Sequence, residues 1–325
     1  MTKHTANGAY VAPAWLPGGH AQTIYPSLRR GPGITYRRER VDTPDGDFVD
    51  FDWLDAAGPA GDATPVVVLF HGLEGNSSSH YALALMRELA RIGWRGVVPH
   101  FRGCSGEPNR RPRAYHSGDY AEVGWMLAAV RERVPFATLF AAGVSLGGSA
   151  LLNWLGREEG RAASIVAAAA AVSTPLDLSA AGIAIEIGLN RIYSRHFLGT
   201  LIPKAMGIAQ RFPGLLDSAA ITRANSMYAF DDVVTAPLHG FAGTQDYWTR
   251  GSSKPWLRSI AVPTLVINAR NDPFIPASSL PTRSQASEAV TLEQPEHGGH
   301  GGFPGPSLCG SGWLSHRLTT FFQIS

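Results

Sequence analysis

Residues 139–156 of the chain read LFAAGVSLGGSALLNWLG, and this stretch decides the fold. An apolar run of strand length precedes one serine, and a helix-like apolar segment follows directly. Gly143, Ser145 and Gly147 form a G-x-S-x-G pattern, whose small residues permit a sharp turn that pushes one side chain outward. The pattern predicts that Ser145 is a nucleophile. On these five residues alone, a strand-to-helix turn that contains serine by chance is an equal alternative.

The sequence around this motif alternates between strand-like and helix-like segments. Short apolar runs recur at residues 65–70, 94–100, 137–144, 164–173, 263–268 and 289–294. This alternation predicts an α/β fold with a mostly parallel, doubly wound sheet and helices on both faces. Residues 40–55 alternate apolar and acidic residues around a turn at 44–46, which predicts an N-terminal antiparallel hairpin with one buried face. An amphipathic C-terminal helix is expected near residues 313–322.

The alternation breaks within the second half of the chain. Residues 174–257 look helical or irregular, which predicts a mainly helical cap inserted between a first core part (1–173) and a second (258–325). This cap contains more apolar bulk than a polar surface segment needs. We expect its large apolar side chains to pack the cap or to roof an apolar pocket; they are Ile183, Ile185, Ile187, Leu189, Ile192, Tyr193, Phe197, Leu198, Phe241, Tyr247 and Trp248.

The composition of the 325-residue chain bounds the class of protein. Its hydrophobic content of 44% supports a substantial core, and 28 Lys and Arg residues nearly balance 26 Asp and Glu residues. No overall charge therefore predicts a nucleic-acid partner. Local arginine clusters at residues 29–40 and 110–113 are expected to be solvated faces, with contact to anionic lipid as the alternative.

Targeting signals and cysteine usage predict the compartment. The N-terminus lacks the apolar core of a secretory signal, and no run approaches the roughly 20 apolar residues of a membrane span. We therefore expect a cytoplasmic protein without stable membrane insertion. Cys104 and Cys309 lack C-x-x-C spacing, which favours a reducing compartment and predicts two buried free cysteines.

A nucleophilic serine needs an imidazole to take its proton and an acid to orient that imidazole. In the chain order Ser, Asp, His, each partner is expected on a loop after a later strand. Asp272 follows the apolar run at 263–268, and His297 and His300 follow the run at 289–294. Glycines on both sides of His300 favour it over His297. Asp246 is the reserve acid, and a structural role is the simpler interpretation of it.

The reaction also needs two backbone N–H groups to bind an oxyanion. One is expected from Leu146, which follows the nucleophile at the start of a helix. The other is expected from Leu73, which follows His71 and Gly72 in the loop after the first parallel strand. A bracing role through hydrogen bonds is the simpler interpretation of His71.

Metal and cofactor chemistry are not predicted. His297 and His300 form a His-x-x-His spacing on a glycine loop, which lacks the helical spacing and the carboxylate of a zinc hydrolase. We expect no cofactor and no metal.

Several longer segments point to a family. They are APAWLPGGHAQTIYP, FHGLEGNSSSHYA, GWRGVVPHFRGCSGEPNRRPRAYHSGD, GVSLGG, NDPF and EHGGHGGF. From about residue 13 to its end, the chain resembles the YheT-like branch of the α/β-hydrolases. The resemblance implies an α/β-hydrolase fold and a Ser–Asp–His hydrolase of carboxylic esters, related to eukaryotic abhydrolase-domain lipases and acyltransferases. Carried onto matching positions, the triad falls on Ser145, Asp272 and His300.

The sequence therefore predicts a serine esterase for small-molecule esters with short to medium apolar acyl chains. A thioesterase or an acyltransferase would use the same acyl-enzyme, so residue identities leave both open. A noncatalytic ligand-binding relative is a third alternative. The oligomeric state stays open.

Overall fold

The computed structural model describes residues 9–29, 31–55, 61–305 and 312–325, and eight strands of this part of the chain form one sheet. The strands are β1 (Arg37–Asp42), β2 (Phe48–Leu54), β3 (Val66–Phe70), β4 (Arg95–Pro99), β5 (Leu139–Val144), β6 (Ala168–Val172), β7 (Thr264–Ile267) and β8 (Val290–Glu293). Their spatial order is β1-β2-β4-β3-β5-β6-β7-β8. The pairs β1–β2 and β2–β4 are antiparallel, and all other neighbours are parallel.

Helices connect these strands and cover the sheet. They are α1 (Gly19–Leu28), α2 (His80–Arg91), α3 (Tyr120–Arg133), α4 (Leu146–Glu158), α5 (Leu178–Ala184), α6 (Arg191–Arg211), α7 (Ser218–Arg223), α8 (Met227–Phe230), α9 (Ala236–His239), α10 (Thr244–Gly251) and α11 (Trp313–Ile324). A π-helical segment, Asp231–Thr235, joins α8 to α9. The predicted fold class is confirmed.

The continuous apolar runs are buried on both faces of the sheet. In β3, Val66, Val68 and Phe70 pack in one core layer, whereas Val67 and Leu69 pack in the layer on the other face. Successive side chains of a strand point to opposite faces, so a strand covered on both sides has no polar positions. This explains why the central strands contain almost no polar residues.

The hairpin prediction was wrong in one respect. Strands β1 and β2 pair as expected, but β2 is buried on both faces. Arg40 and Arg38 of β1 form ion pairs with Asp50 and Asp52 of β2 at 2.8 and 2.7 Å. Asp50 and Asp52 lie on the face that the alternation assigned to solvent. The ion pairs cover this face, so the two carboxylates have almost no exposed surface.

The arginine clusters are therefore not simply solvated faces. Arg110 pairs with Asp42 at 2.8 Å, and Arg113 pairs with Asp119 at 2.7 Å. These ion pairs connect the loop that contains Arg110 and Arg113 to β1 and to the start of α3. Arg30 lies outside the described residues.

Residues 173–263, between β6 and β7, contain helices and no strand. Helices α6, α7 and α8 pack around a small apolar core of their own, which includes Leu198, Leu201, Ile221 and Phe230. This segment supplies walls of the cavity over the end of β5. Within the described residues, no helix has the length and apolar character required to cross a membrane.

Candidate active site

Ser145 lies in the turn that joins β5 to α4. Its φ of 54° and ψ of −123° are strained for a residue with a Cβ atom, and such strain concentrates at functional sites. The backbone N–H of Ser145 donates to the carbonyl oxygen of Val172 at 2.8 Å. The turn is therefore anchored to the neighbouring strand β6, and the serine side chain is held at the carboxyl end of the sheet.

The glycines of the motif are required by close backbone contacts. A Cβ atom on Gly143 would lie 2.6 Å from the carbonyl oxygen of Gly147. A Cβ atom on Gly147 would lie 2.5 Å from the carbonyl oxygen of His71. Real Cβ atoms do not approach backbone atoms this closely, so only glycine fits at these two positions.

His300 connects Ser145 to Asp272 through two hydrogen bonds. Its Nδ1 lies 2.8 Å from Oδ2 of Asp272, and its Nε2 lies 2.9 Å from Oγ of Ser145. Because the carboxylate only accepts, Nδ1–H donates to it, and Nε2 is left to accept from the serine hydroxyl. This is the arrangement in which an imidazole can remove the serine proton.

Asp272 lies in the loop after β7, as predicted, and its side chain is fully buried. Its second oxygen, Oδ1, accepts a hydrogen bond from the backbone N–H of Phe274 at 2.8 Å. The ring of Phe274 packs on that of His300 with centroids 4.2 Å apart. One loop therefore supplies both the acid and an apolar cover for the imidazole.

Leu73 and Leu146 line the same cavity as Ser145. On either side of Leu73, the N–H of Gly72 donates to Tyr81 Oη at 2.8 Å and that of Glu74 to Tyr115 Oη at 2.7 Å. Within the described residues, neither the Leu73 N–H nor the Leu146 N–H has a hydrogen-bond acceptor. Two free donors therefore lie at the positions predicted for an oxyanion site.

His71 braces this loop. Its Nε2 accepts from the backbone N–H of Phe101 at 3.0 Å, so the proton is on Nδ1, which donates to the carbonyl oxygen of Gly72 at 2.8 Å. Complete burial lowers the pKa of His71 to about 3, and the nearby His100 adds to this effect. His71 is therefore neutral at physiological pH and holds the loop in the way the sequence suggested.

The rejected alternatives lie away from the serine. His297 Nδ1 is 3.3 Å from Nδ2 of Asn271, and no contact brings it to Ser145. Asp246, the reserve acid, pairs with Arg250 on the exposed side of α10. Cys104 is free and buried, as predicted, and Cys309 lies outside the described residues.

Three residues that sequence reasoning missed hold the histidine loop. Thr23 Oγ1 accepts from the backbone N–H of His300 at 2.9 Å. Gln22 Oε1 accepts from the N–H of Gly298 at 2.9 Å and from Nδ2 of Asn271 at 2.9 Å. Asn271 Oδ1 accepts from the N–H of Gly299 at 3.1 Å.

Helix α1 thus clamps a loop that lies near the other end of the chain. Gln22 and Thr23 lie within one of the segments that resemble the family, APAWLPGGHAQTIYP. That resemblance was the only available signal, because no local pattern relates a Gln-Thr pair to a loop more than 270 residues away.

The cavity next to Ser145 has a volume of about 780 Å³, within the range of about 300–1,000 Å³ that is usual for ligand pockets. Its walls include Ile185, which directly follows α5, Phe197 of α6 and Trp248 of α10. These are three of the apolar side chains expected to roof a pocket. Ile183, Ile187, Leu189 and Ile192 are instead exposed, and the expectation for these four was wrong.

The cavity wall also contains a buried acid that the sequence did not indicate. Asp231, in the π-helical segment, accepts from Nε1 of Trp248 at 2.8 Å and from Oγ1 of Thr235 at 2.7 Å. Burial raises the pKa of Asp231 to about 6, although both hydrogen bonds oppose this shift. The apolar part of the wall thus includes this weakly acidic group, and other parts of the lining contain charged side chains such as Glu74, Arg113 and Lys204.

Comparisons with known proteins agree with this fold. Residues 65–305 match a family model described as alpha/beta hydrolase fold. The chain is 39% identical over 312 residues to the Escherichia coli (strain K12) protein named "Putative esterase YheT", with 94% of this chain and 91% of that protein covered. It is 30% identical over 301 residues to "Phospholipase ABHD3" of Homo sapiens, with 90% and 73% covered.

Among solved structures, Est1E from Butyrivibrio proteoclasticus with bound ferulic acid is similar to this chain. The TM-score is 0.55 at 15% sequence identity, and the match covers 90% of this chain and 98% of that one. At this identity the similarity supports the fold alone.

Proposed function

Because this chain belongs to the YheT-like branch of the α/β-hydrolase family, we propose that it hydrolyses carboxylic esters through an acyl-enzyme on Ser145. The observation that carries the proposal is the hydrogen-bonded series Ser145–His300–Asp272 at the edge of a largely apolar cavity. In this proposal Ser145 is the nucleophile, His300 is first the general base and then the general acid, and Asp272 orients the imidazole.

The mechanism follows from the protonation states of these groups. Nε2 of His300 takes the proton of Ser145 Oγ as that oxygen attacks the ester carbonyl carbon. The resulting oxyanion accepts hydrogen bonds from the N–H groups of Leu73 and Leu146. The imidazolium then donates its proton to the leaving alcohol, and the acyl-enzyme forms. Water attacks the acyl-enzyme in a second round of the same proton transfers, which releases the acid and restores the serine.

The walls of the cavity support esters with short to medium apolar acyl chains. Phe197, Leu201 and Ile208 of α6 line it together with residues of α5 and α10. The names of the two relatives, an esterase and a phospholipase, agree with ester substrates of small molecules. Thioesters, or transfer of the acyl group to an alcohol, are alternatives on the same serine.

A fluorophosphonate probe tests the central claim. The probe should label the wild type and should not label Ser145→Ala, and kcat for p-nitrophenyl esters should fall by about 10⁴- to 10⁶-fold in that variant. Ser149→Ala is a matched control, because Ser149 is buried one turn further along α4 and contacts Ser253, not His300. Labelling that persists in Ser145→Ala would contradict the proposal and favour a noncatalytic or unrelated site.

An acyl-chain series tests the substrate class. Each buried methylene contributes up to about 0.8 kcal/mol, so kcat/KM for p-nitrophenyl esters should rise severalfold for each two-carbon step from acetate until the cavity is filled. Charged acyl groups should be poor substrates. A flat profile would contradict the apolar acyl pocket and leave the role of Ser145 intact. Parallel assays with acyl thioesters and with alcohol acceptors separate thioesterase and acyltransferase activity.

Two further predictions belong to this proposal. The division into parts 1–173, 174–257 and 258–325 is supported by the end of β6 at Val172 and the start of β7 at Thr264. A cytoplasmic location is expected, and cell fractionation before and after a salt wash tests it.

A further inference from the structure

Four aliphatic side chains lie together on the outer surface of the helical segment. Ile183, Ile187, Leu189 and Ile192 are 60–68% exposed, and all of them come from residues 183–192. A single exposed aliphatic residue needs no explanation, but a contiguous apolar patch on a protein surface marks an interaction site.

Helix α1 extends this patch. His20, Ile24 and Leu28 follow at four-residue intervals and share one stripe of the helix. Nδ1 of His20 lies 3.1 Å from Oη of Tyr193, and the two rings stack with centroids 5.8 Å apart. Since Tyr193 directly follows Ile192, the two segments meet and form one surface.

We call this surface the docking face; it consists of Ile24, Leu28, Ile183, Ile187, Leu189 and Ile192. These six side chains are almost half of the thirteen large apolar side chains that are exposed in the described part of the chain. Such a concentration is unexpected for side chains scattered over a solvated surface.

The charges on the docking face are of one sign. Arg29, Arg191 and Arg195 are exposed within its two segments. Residues 9–29 contain no acid, and residues 178–197 contain only Glu186. The Glu186 carboxylate is already occupied, because it accepts from Oγ of Ser194 at 2.6 Å and from the N–H of Met227 at 2.8 Å.

The docking face lies beside the candidate active site. The Tyr193 ring packs on that of Phe274 with centroids 4.6 Å apart, and Phe274 packs on His300. Ile185 lines the cavity, whereas Ile183 and Ile187 on either side of it are exposed. One layer of side chains therefore separates the docking face from the cavity.

We propose that the docking face binds reversibly to the surface of an anionic phospholipid bilayer. Apolar side chains next to exposed cations are the combination that places a protein at the lipid headgroup boundary. A second copy fits less well, because a symmetric pairing through this face would bring the same three arginines together with no exposed acid to offset them. The inference rests on the proposed function for its substrate class, and it points to esters that reside in membranes.

Sedimentation with vesicles tests the inference. Wild type should bind vesicles of phosphatidylcholine with phosphatidylglycerol, bind phosphatidylcholine alone weakly, and be released by salt. The triple variant Ile187→Ser/Leu189→Ser/Ile192→Ser should lose at least tenfold in the partition coefficient. The double variant Arg191→Gln/Arg195→Gln should lose about 25-fold, from about fivefold for each cation at an anionic surface.

The variant Phe136→Ser/Ile324→Ser is the matched control. These side chains are 75% and 77% exposed but lie outside the docking face, so vesicle binding should not change. An equal loss in this control, or no binding of wild type to anionic vesicles, would overturn the inference. It would also be overturned if wild type were a dimer in solution that the triple variant dissociates.

Two measurements separate this inference from the proposed function. The triple variant should keep the wild-type kcat/KM on a soluble p-nitrophenyl ester. Ser145→Ala should bind vesicles like wild type although it hydrolyses nothing. Vesicle binding by a wild type that has no esterase activity would reject the proposed function and leave the docking face supported.

Discussion

Ser145 and His300 meet at one hydrogen bond, but different forces hold the two sides of it. The nucleophile turn (residues 143–148) is shaped by backbone contacts, in which a strained serine lies between glycines that cannot carry a Cβ atom. In the histidine loop (residues 296–303), backbone N–H groups donate hydrogen bonds to side chains of α1 and of the loop after β7. Steric exclusion acts in both regions, since a Cβ atom on Gly302 would overlap the carbonyl oxygen of Gln22, but only the second region is also held by polar side chains.

This difference has consequences for how each region responds to change. A backbone overlap in a packed turn has no room to relax, so a substitution there disturbs both stability and geometry. A single hydrogen bond contributes only about 0.5–1.5 kcal/mol, so the loss of one clamp contact should leave the fold intact. The side-chain clamp is therefore the part of the histidine loop where activity can be changed while the fold is kept.

The largest expected effect separates the two histidines of the loop. His300→Ala should lower kcat by about 10⁴-fold or more, because among the described residues only the His300 imidazole contacts Ser145. His297→Ala is the control within the same loop and should keep most of the activity, since His297 contacts Asn271. Steady-state kinetics on p-nitrophenyl esters measures both. The opposite order of losses would mean that His297 is the base.

The second prediction breaks the nucleophile turn. In Gly143→Ala the new Cβ atom would overlap backbone atoms of Gly147 and Gly148, so we expect a loss of about 1–3 kcal/mol in unfolding free energy. Displacement of Ser145 should also lower kcat by roughly 100-fold. Urea titration and kinetics measure the two effects. Gly160→Ala is the control, because nothing lies within 4 Å of its added Cβ atom, and equal stability of both variants would contradict the steric account.

The third prediction weakens the clamp on the histidine loop. Thr23→Val removes the acceptor for the His300 N–H, so kcat should fall about tenfold while KM changes little and the unfolding free energy falls by no more than about 1–3 kcal/mol. Thr23→Ser should restore kcat, because it restores the hydroxyl. Thr222→Val is the control. Like Thr23, Thr222 donates to a carbonyl oxygen four residues earlier in a helix, but its other side-chain contact is with Met206 and not with the histidine loop. A change in KM alone would argue against a positioning role.

The fourth prediction concerns pH and the nucleophile side, and its effect within one pH unit is small. Burial lowers the folded-state pKa of His71 to about 3, whereas the unfolded value is near 6.5. Between these two pH values only the unfolded state binds the proton. The contribution of neutral His71 to the unfolding free energy is therefore fully present above pH 6.5 and decreases as the pH falls from 6.5 towards 3. This group alone should remove about 1.4 kcal/mol for each pH unit below 6.5.

Unfolding free energies at several pH values measure this loss. His116 and His239 are also buried with lowered pKa values and add to the slope in the wild type. The wild type is therefore compared with His71→Gln. In this variant the slope of unfolding free energy against pH, between pH 5 and 6, should correspond to about one bound proton fewer. Equal slopes would mean that His71 is not held neutral.

Much of the site was predictable because its chemistry follows strands in the sequence. Ser145, Asp272 and His300 each come soon after an apolar run, and parallel strands bring their carboxyl ends to one edge of the sheet. Gln22 and Thr23 carry no such signal, because their partners are loop N–H groups and any amide or hydroxyl side chain could bind them. Asp50 and Asp52 were expected in solvent because alternation does not show which cations will cover them.

The sequence by itself determined the order of strands and helices, the sharp turn at Ser145 and the chain order of the three side chains. These features depend on residues close together in the chain, where apolar periodicity acts locally and Gly143 directly faces Gly147. Only the tertiary structure decided that α1 clamps the histidine loop, that Asp231 lies in the cavity wall, and that Ile187 and its neighbours are exposed. Each of these depends on which distant surface packs against a side chain, and that is set by the three-dimensional arrangement of the helices and loops.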